Sequence, residues 1–205
     1  IPGLASGKDQ TVEVFPFWPA QVRVNATPVE GITGRLVYCA GQDYASFRPK
    51  SLAGQIAVLE SRDTAAWTTA AYFGAKAIVI LGAKEDSNND LRTMDLQLPL
   101  NVPRFYLPPG PAADAIRQGR IMVPVTLKAA VNWEARSACN YYALVMGRTP
   151  RPSGWDAGAN PPGALCINVP VDAGCMVPDL AAGAGQAVQT AAALTLLRDI
   201  SRHPL

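Results

Sequence analysis

Two short, almost unbroken apolar runs constrain this chain more than any other feature: Ile56-Ala57-Val58-Leu59-Glu60 and Lys76-Ala77-Ile78-Val79-Ile80-Leu81-Gly82. A strand with no polar alternation has no face to offer water, so both of its sides must be covered. Between the runs, Asp63 is placed to cap a helix over Thr64 to Phe73, with Ala66, Ala70 and Phe73 on one face and Gly74 as its stop. Strand, helix and second apolar strand make a βαβ unit, whose crossover is right-handed in nearly all sheets. A mixed α/β fold follows.

The flanks extend this pattern. Arg35-Leu36-Val37-Tyr38-Cys39 and Val102-Pro103-Arg104-Phe105-Tyr106-Leu107 read as further strands. Pro111 to Gln118 reads as a helix with proline in its first turn and Gly119 just beyond it. Met122 to Trp133 alternates apolar and polar residues, as a strand does. The acidic stretch Glu85-Asp86-Ser87-Asn88-Asn89-Asp90 lacks the glycine and glutamate spacing of an EF-hand loop and is expected to be a solvated connection. Phe15-Pro16-Phe17-Trp18-Pro19 is too rich in proline for a central strand. It is expected to be an arm whose rings pack on the domain, or a binding surface formed by Phe15, Phe17 and Trp18. Asn25-Ala26-Thr27 is a formal glycosylation acceptor, weakened by Pro28 after it.

Bulk properties exclude several classes. The 205 residues carry a net charge of +2, which gives no electrostatic case for nucleic acid or an anionic membrane surface. No stretch approaches the roughly 18 apolar residues of a membrane span. The four cysteines (Cys39, Cys139, Cys166, Cys175) form no CxxC pair, so the alternatives are buried thiols or one or two disulfides. The single histidine, His203, stands two residues from the end of the sequence, a poor place from which to serve a Ser-His-Asp or Cys-His site. The sequence begins at Ile1 and shows no signal peptide, which reads as a processed product or an excised piece.

The middle block resembles a protease-associated (PA) domain. The resemblance rests on Leu52-Ala53-Gly54-Gln55-Ile56-Ala57-Val58-Leu59, the alanine-rich helix, Phe73-Gly74-Ala75-Lys76-Ala77-Ile78-Val79-Ile80, and Val102-Pro103-Arg104-Phe105. It implies an open, barrel-like sheet with flanking helices over residues 24–135, after an N-terminal arm at 1–23, and a non-catalytic role in covering a protease site or binding a partner.

The remaining segment, 136–205, resembles the start of an M28-family zinc aminopeptidase domain. The resemblance lies in Ala138 to Gly147 as a first strand, Leu165 to Asp172 as a second, and Val177-Pro178-Asp179-Leu180-Ala181-Ala182-Gly183-Ala184-Gly185-Gln186 as the loop entering a helix over Gln186 to Ser201. Ala187, Ala191, Leu194 and Leu197 share one face of that helix. The family places a ligand histidine where this chain has Pro170 and a metal-bridging aspartate where it has Gly185. Neither side chain can bind a metal. Asp172 matches the acid that orients the lost histidine. The resemblance therefore implies a partial strand-strand-helix unit of a pseudo-peptidase, similar in logic to the inactive M28-like domains of nicastrin and nicalin. No catalytic residue, metal or cofactor is then expected; zinc belongs only to the alternative, a fragment of an active aminopeptidase with its other ligands elsewhere. A small-ligand binding module is a third reading. The expected partner is a protein, a peptide or the rest of a parent chain, and the expected location is extracytoplasmic, with tethering through the parent.

Other features are expected to be structural. Asp172 and Asp179 fit turn geometry better than a paired acid-base site. Cys175 has no basic neighbour in sequence to lower its pKa. Gly183-Ala184-Gly185 lacks the lysine and spacing of a phosphate loop.

Overall fold

Side chains alternate across a strand, so each apolar run must supply two cores at once. In the computed structural model they do. The structure describes residues 11–19, 24–41, 44–48, 50–84, 98, 100–145, 166–171, 177–181 and 183–203. It divides into two compact units, one of Ile1–Trp133 with Gly174–Ala181 and the other of Glu134–Ala173 with Ala182–Leu205.

The first unit is built on a five-stranded mixed sheet ordered β1-β6-β5-β4-β3. Its strands are β1 (Phe15–Pro16), β3 (Leu36–Tyr38), β4 (Ile56–Glu60), β5 (Ala77–Leu81) and β6 (Arg104–Leu107). Strands β3 to β6 run parallel, with Ile56 opposite Ala77 and Ile78 opposite Arg104, while β1 adds an antiparallel edge. An edge is where a proline-bearing strand can sit without breaking the ladder. A second, two-stranded sheet pairs β2 (Ile32–Gly34) with β7 (Val125–Leu127).

Ala57, Leu59, Ile78 and Ile80 point to one face, where they pack with Phe47 of α1 (Tyr44–Phe47), Trp67 and Ala70 of α2 (Trp67–Tyr72), Phe17 and Val177. Ile56, Val58, Val79, Leu81, Phe105 and Leu107 point to the other, under Ala113 and Ile116 of α3 (Pro111–Arg117) and Leu127 of β7. Both runs are buried end to end, as their lack of polar alternation requires.

The helix between the runs departs from expectation. Ser61–Ala66 forms a 3-10 segment kinked at Asp63, and α2 starts only at Trp67 with Ala66 in the capping position. Asp63 is therefore buried within the connection rather than placed at a helix cap. Gly74 does close α2, at φ +83, the left-handed conformation that glycine adopts without strain.

The arm is a working part of the first unit. Phe17 is 2% exposed and meets Tyr106 edge to face at 6.2 Å. Asn25, 3% exposed, holds the arm in place: its Nδ2 donates to the carbonyls of Phe17 (2.7 Å) and Trp18 (3.1 Å), and its Oδ1 accepts from the Arg104 amide at 2.9 Å. The formal acceptor asparagine is thus spent on a buried clamp, and its amide nitrogen is not offered to a glycan.

Beside this clamp lies an unusual group. Arg104 is 1% exposed, with its guanidinium carbon 4.5 Å from the Trp67 ring centroid. Its Nη2 donates to the Trp18 carbonyl at 3.3 Å, but among the described residues Nε and Nη1 have no hydrogen-bond partner, nor does the Trp67 indole nitrogen. Burial pulls its pKa down to about 10, so the group is still a cation at neutral pH. A buried charge without a counter-ion costs more than a cation–π contact of about 0.5–2 kcal/mol returns. Arg104→Met is therefore expected to raise the unfolding free energy by about 1–3 kcal/mol. The Trp18 carbonyl keeps its Asn25 bond in the variant. Thermal denaturation checks the sign: a lowered midpoint would show that the guanidinium is compensated.

The second unit departs most from expectation. Among its described residues, 134–145 and 166–171 carry no strand, where two were expected. The regular element among them is α4 (Ala184–Arg202), none of whose residues is buried. Leu194, on the predicted apolar face, is exposed, as are Val188 and Leu196. A strand persists only when its backbone groups find partners and its side chains find cover; a helix satisfies its own backbone. Among the described residues, the expected strand-strand-helix unit is represented by its helix.

Candidate functional site

The parallel strands end together at one edge of the first unit, and the groups that gather there form a cleft of about 740 Å³. Tyr38 ends β3, Glu60 ends β4 and Gly82 follows β5. Pro109 and Gly110 come from the turn after β6, Asp114 and Arg117 from α3, and Arg62 and Lys84 complete the rim. The carboxyl ends of parallel strands are where α/β sheets usually hold ligands.

The floor is a closed hydrogen-bond network. Arg117 grips Glu60 with both ends of its fork, Nε donating to Oε1 at 2.9 Å and Nη2 to Oε2 at 2.8 Å. The same Nη2 donates to the Gly82 carbonyl at 2.9 Å, and Nη1 reaches Asp114 Oδ1 at 3.3 Å. The Tyr38 hydroxyl donates to Glu60 Oε1 at 2.7 Å. Helix α3 aims Arg117 by burying Ala113, Ala115 and Ile116 on the sheet, which leaves the residue after Ile116 directed along the edge.

Two pKa shifts describe this floor. Burial pushes the Glu60 carboxyl up, but hydrogen bonds from Arg117 and Tyr38 and the Arg117 charge outweigh it, and the net shift is down. Tyr38 is pushed up to about 12, first by burial and then by its bond to Glu60. Glu60 is thus a fixed, occupied anion and Tyr38 a fixed donor, and neither is poised to exchange a proton near neutral pH.

Gly82 admits no side chain. A Cβ there would lie 2.1 Å from the Tyr106 hydroxyl and 2.9 Å from Pro109 Cδ. Its amide also bonds the Leu107 carbonyl at 2.9 Å, so the backbone cannot step aside cheaply.

The residues singled out from sequence do not gather at this cleft. Among Phe15, Phe17 and Trp18, Phe17 is in the core, Phe15 is half-buried in β1, and Trp18, 50% exposed, presents its ring to solvent. Pro170 and Gly185 lie in the second unit; the Pro170 carbonyl accepts from Thr190 Oγ1 at 3.5 Å, and Gly185 falls in the first turn of α4. Asp172, Cys175 and the acidic stretch 85–90 lie outside the described residues. Cys39, Cys139 and Cys166 are free, and burial raises the Cys39 thiol pKa, which keeps it protonated.

No family model and no curated protein matches this chain. Solved structures do. An aminopeptidase from Aneurinibacillus sp. strain AM-1 matches at 24% identity and TM-score 0.36, over 51% of this chain and 26% of its own. A zinc aminopeptidase from Bacillus subtilis matches at 18% identity and TM-score 0.42, over 60% of this chain and 29% of its own. A second structure of it gives 19% and 0.41, over 60% and 28%. The chain spans less than a third of each of these proteins.

The donor set of a zinc centre does not fit the positions at which the M28 resemblance would put it. Proline and glycine bring no side-chain ligand, and among the described residues no three of His, Cys, Asp and Glu come together.

Sequence reasoning passed over Glu60 and Arg117. Their signal was present in part: a charged residue closing an otherwise apolar, doubly buried strand needs a partner. Nothing local says that the partner lies 57 residues away.

Proposed function

We propose that this chain is a non-catalytic, PA-like segment of a peptidase-related protein, and that the cleft at the carboxyl edge of its sheet receives a protein or peptide partner. One observation carries this reading. Of the two acids that line the cleft, Glu60, at its floor, has its oxygens occupied by Arg117 and Tyr38, so the floor is organised to recognise rather than to transfer protons. Pro170 and Gly185 support the reading from the second unit, since neither side chain can ligate zinc. On the same resemblance the segment requires no cofactor and works outside the cytoplasm.

The test is metal content together with aminopeptidase activity. The purified chain, incubated with zinc and dialysed, is expected to retain less than stoichiometric metal and to leave leucine p-nitroanilide unhydrolysed. Stoichiometric zinc accompanied by turnover would overturn the non-catalytic reading.

A further inference from the structure

Two exposed tyrosines meet on the surface of the first unit, away from the cleft. Tyr44 opens α1 and Tyr72 closes α2, and their rings are 55% and 75% exposed. The ring centroids lie 6.0 Å apart with the planes tilted by 51°. Their hydroxyl ends are joined: a hydrogen bond to the Tyr72 side chain is the first cause that lifts the Tyr44 phenol above its ordinary pKa, the direction expected of the donor. The pair is held from behind. Phe73 lies 4.9 Å from the Tyr44 ring and 5.6 Å from the Tyr72 ring, and it stacks at 6.2 Å on Phe47, which is fully buried. Burial of the two tyrosine rings themselves is too slight to account for the arrangement by core packing. Phenols joined through their hydroxyls also bring together the ortho ring carbons beside those hydroxyls, the carbons that share the unpaired electron of a phenoxyl radical.

We propose that Tyr44 and Tyr72 form an oxidative cross-linking site, at which hydrogen peroxide, acting through a haem peroxidase, joins the two rings as dityrosine. Each phenol gives up one electron and one proton to become a phenoxyl radical. The radicals pair to form one carbon–carbon bond between ortho positions, and the hydrogen on each of those carbons moves to the neighbouring oxygen, restoring both phenols. The two electrons and two protons reduce one peroxide to two waters. Exposure admits the oxidant, and the held pair makes the coupling step intramolecular. The product fastens α1 to α2 and closes the chain between them into a covalent loop, which restricts the unfolded state.

The test treats the full chain, dilute and with its thiols alkylated so that exposed Cys139 and Cys166 do not consume oxidant, with a haem peroxidase and hydrogen peroxide. Dityrosine fluorescence is read in the monomer band, and peptide mass mapping locates the link as a joined pair lighter by two hydrogens. A link between Tyr44 and Tyr72 is expected, in a yield at least about tenfold above that of the same chain unfolded in urea. Tyr44→Phe and Tyr72→Phe keep both rings and are each expected to abolish it. Changing Tyr141 and Tyr142, the exposed tyrosines of the second unit, to Phe is expected to leave it unaltered. Links formed only between copies or only through Tyr141 and Tyr142 would overturn the inference, as would no link at all. Equal yields from folded and unfolded chain would show that the fold does not prepare the pair, and would overturn it as well.

Discussion

Cutting Trp67 back to alanine is expected to cost about 3–5 kcal/mol of unfolding free energy, the largest single-site loss in the first unit. Trp67 is fully buried at the start of α2, on the sheet face it shares with Phe47, Leu59, Ile78 and Ile80. Its removal leaves a large void between helix and sheet, and the surrounding strands, tied by their ladders, cannot collapse into it. It also strips the ring from beneath the Arg104 guanidinium, 4.5 Å away. The two sites are therefore expected to couple: Trp67→Ala in an Arg104→Met background costs less than in the native chain, because no uncovered cation is left behind. Denaturant unfolding of the four species measures this. A loss below about 1 kcal/mol for Trp67→Ala would contradict the close packing of this face.

Glu60→Ala is expected to cost about 2–4 kcal/mol. The lower end allows for Arg117, whose side chain is a quarter exposed and can recover some hydration. Deleting the acid leaves a guanidinium fork, a tyrosine hydroxyl and part of α3 without their common acceptor. Arg117→Met leaves the acid buried without its guanidinium, held by the Tyr38 hydroxyl, and is expected to be at least as damaging.

The pH dependence follows from the same network. The Glu60 carboxyl is lowered on folding, so its contribution is fully present above the unfolded value of about 4.3 and is lost as pH falls through the lower folded value. Tyr38 is raised to about 12, so its contribution is present below the unfolded value of about 10 and is lost as pH rises towards 12. Glu60→Gln is expected to flatten the acid limb of the stability profile, and Tyr38→Phe the alkaline limb. Unaltered limbs in both variants would remove the network from the stability account.

The legible part of the fold was the part written in short-range pattern. The runs at 56–59 and 77–81 became the body of β4 and all of β5 because four or five apolar residues in succession can be strand only when covered on both faces. Proline before and glycine after marked α3 correctly, since each acts within one turn of its own position. Residues 138–145 and 166–171 show the limit: an apolar stretch is a request for partners, and strand forms only where another strand answers. Asn25 shows another. Its tripeptide reads as a glycan acceptor, yet its amide is the clasp between the arm and β6, a contact spanning 79 residues to Arg104.

The cleft obeys the same division. That Glu60 follows an apolar run and that Arg117 lies in the last turn of a helix before Gly119 are legible in sequence. That the two meet in a bidentate pair, with Tyr38 as a third member and Lys84 on the rim, depends on the lateral order β3-β4-β5-β6 and on which face α3 covers. Sequence alone determined the doubly covered strands, the helix limits around α3 and the absence of ligating side chains at Pro170 and Gly185, because periodicity, proline and glycine act over a few bonds. Tertiary structure decided the arm's burial, the burial of the Arg104 cation against Trp67 and the cleft, because charges and hydrogen-bonding groups far apart in the chain acquire partners only once packing has set their distances.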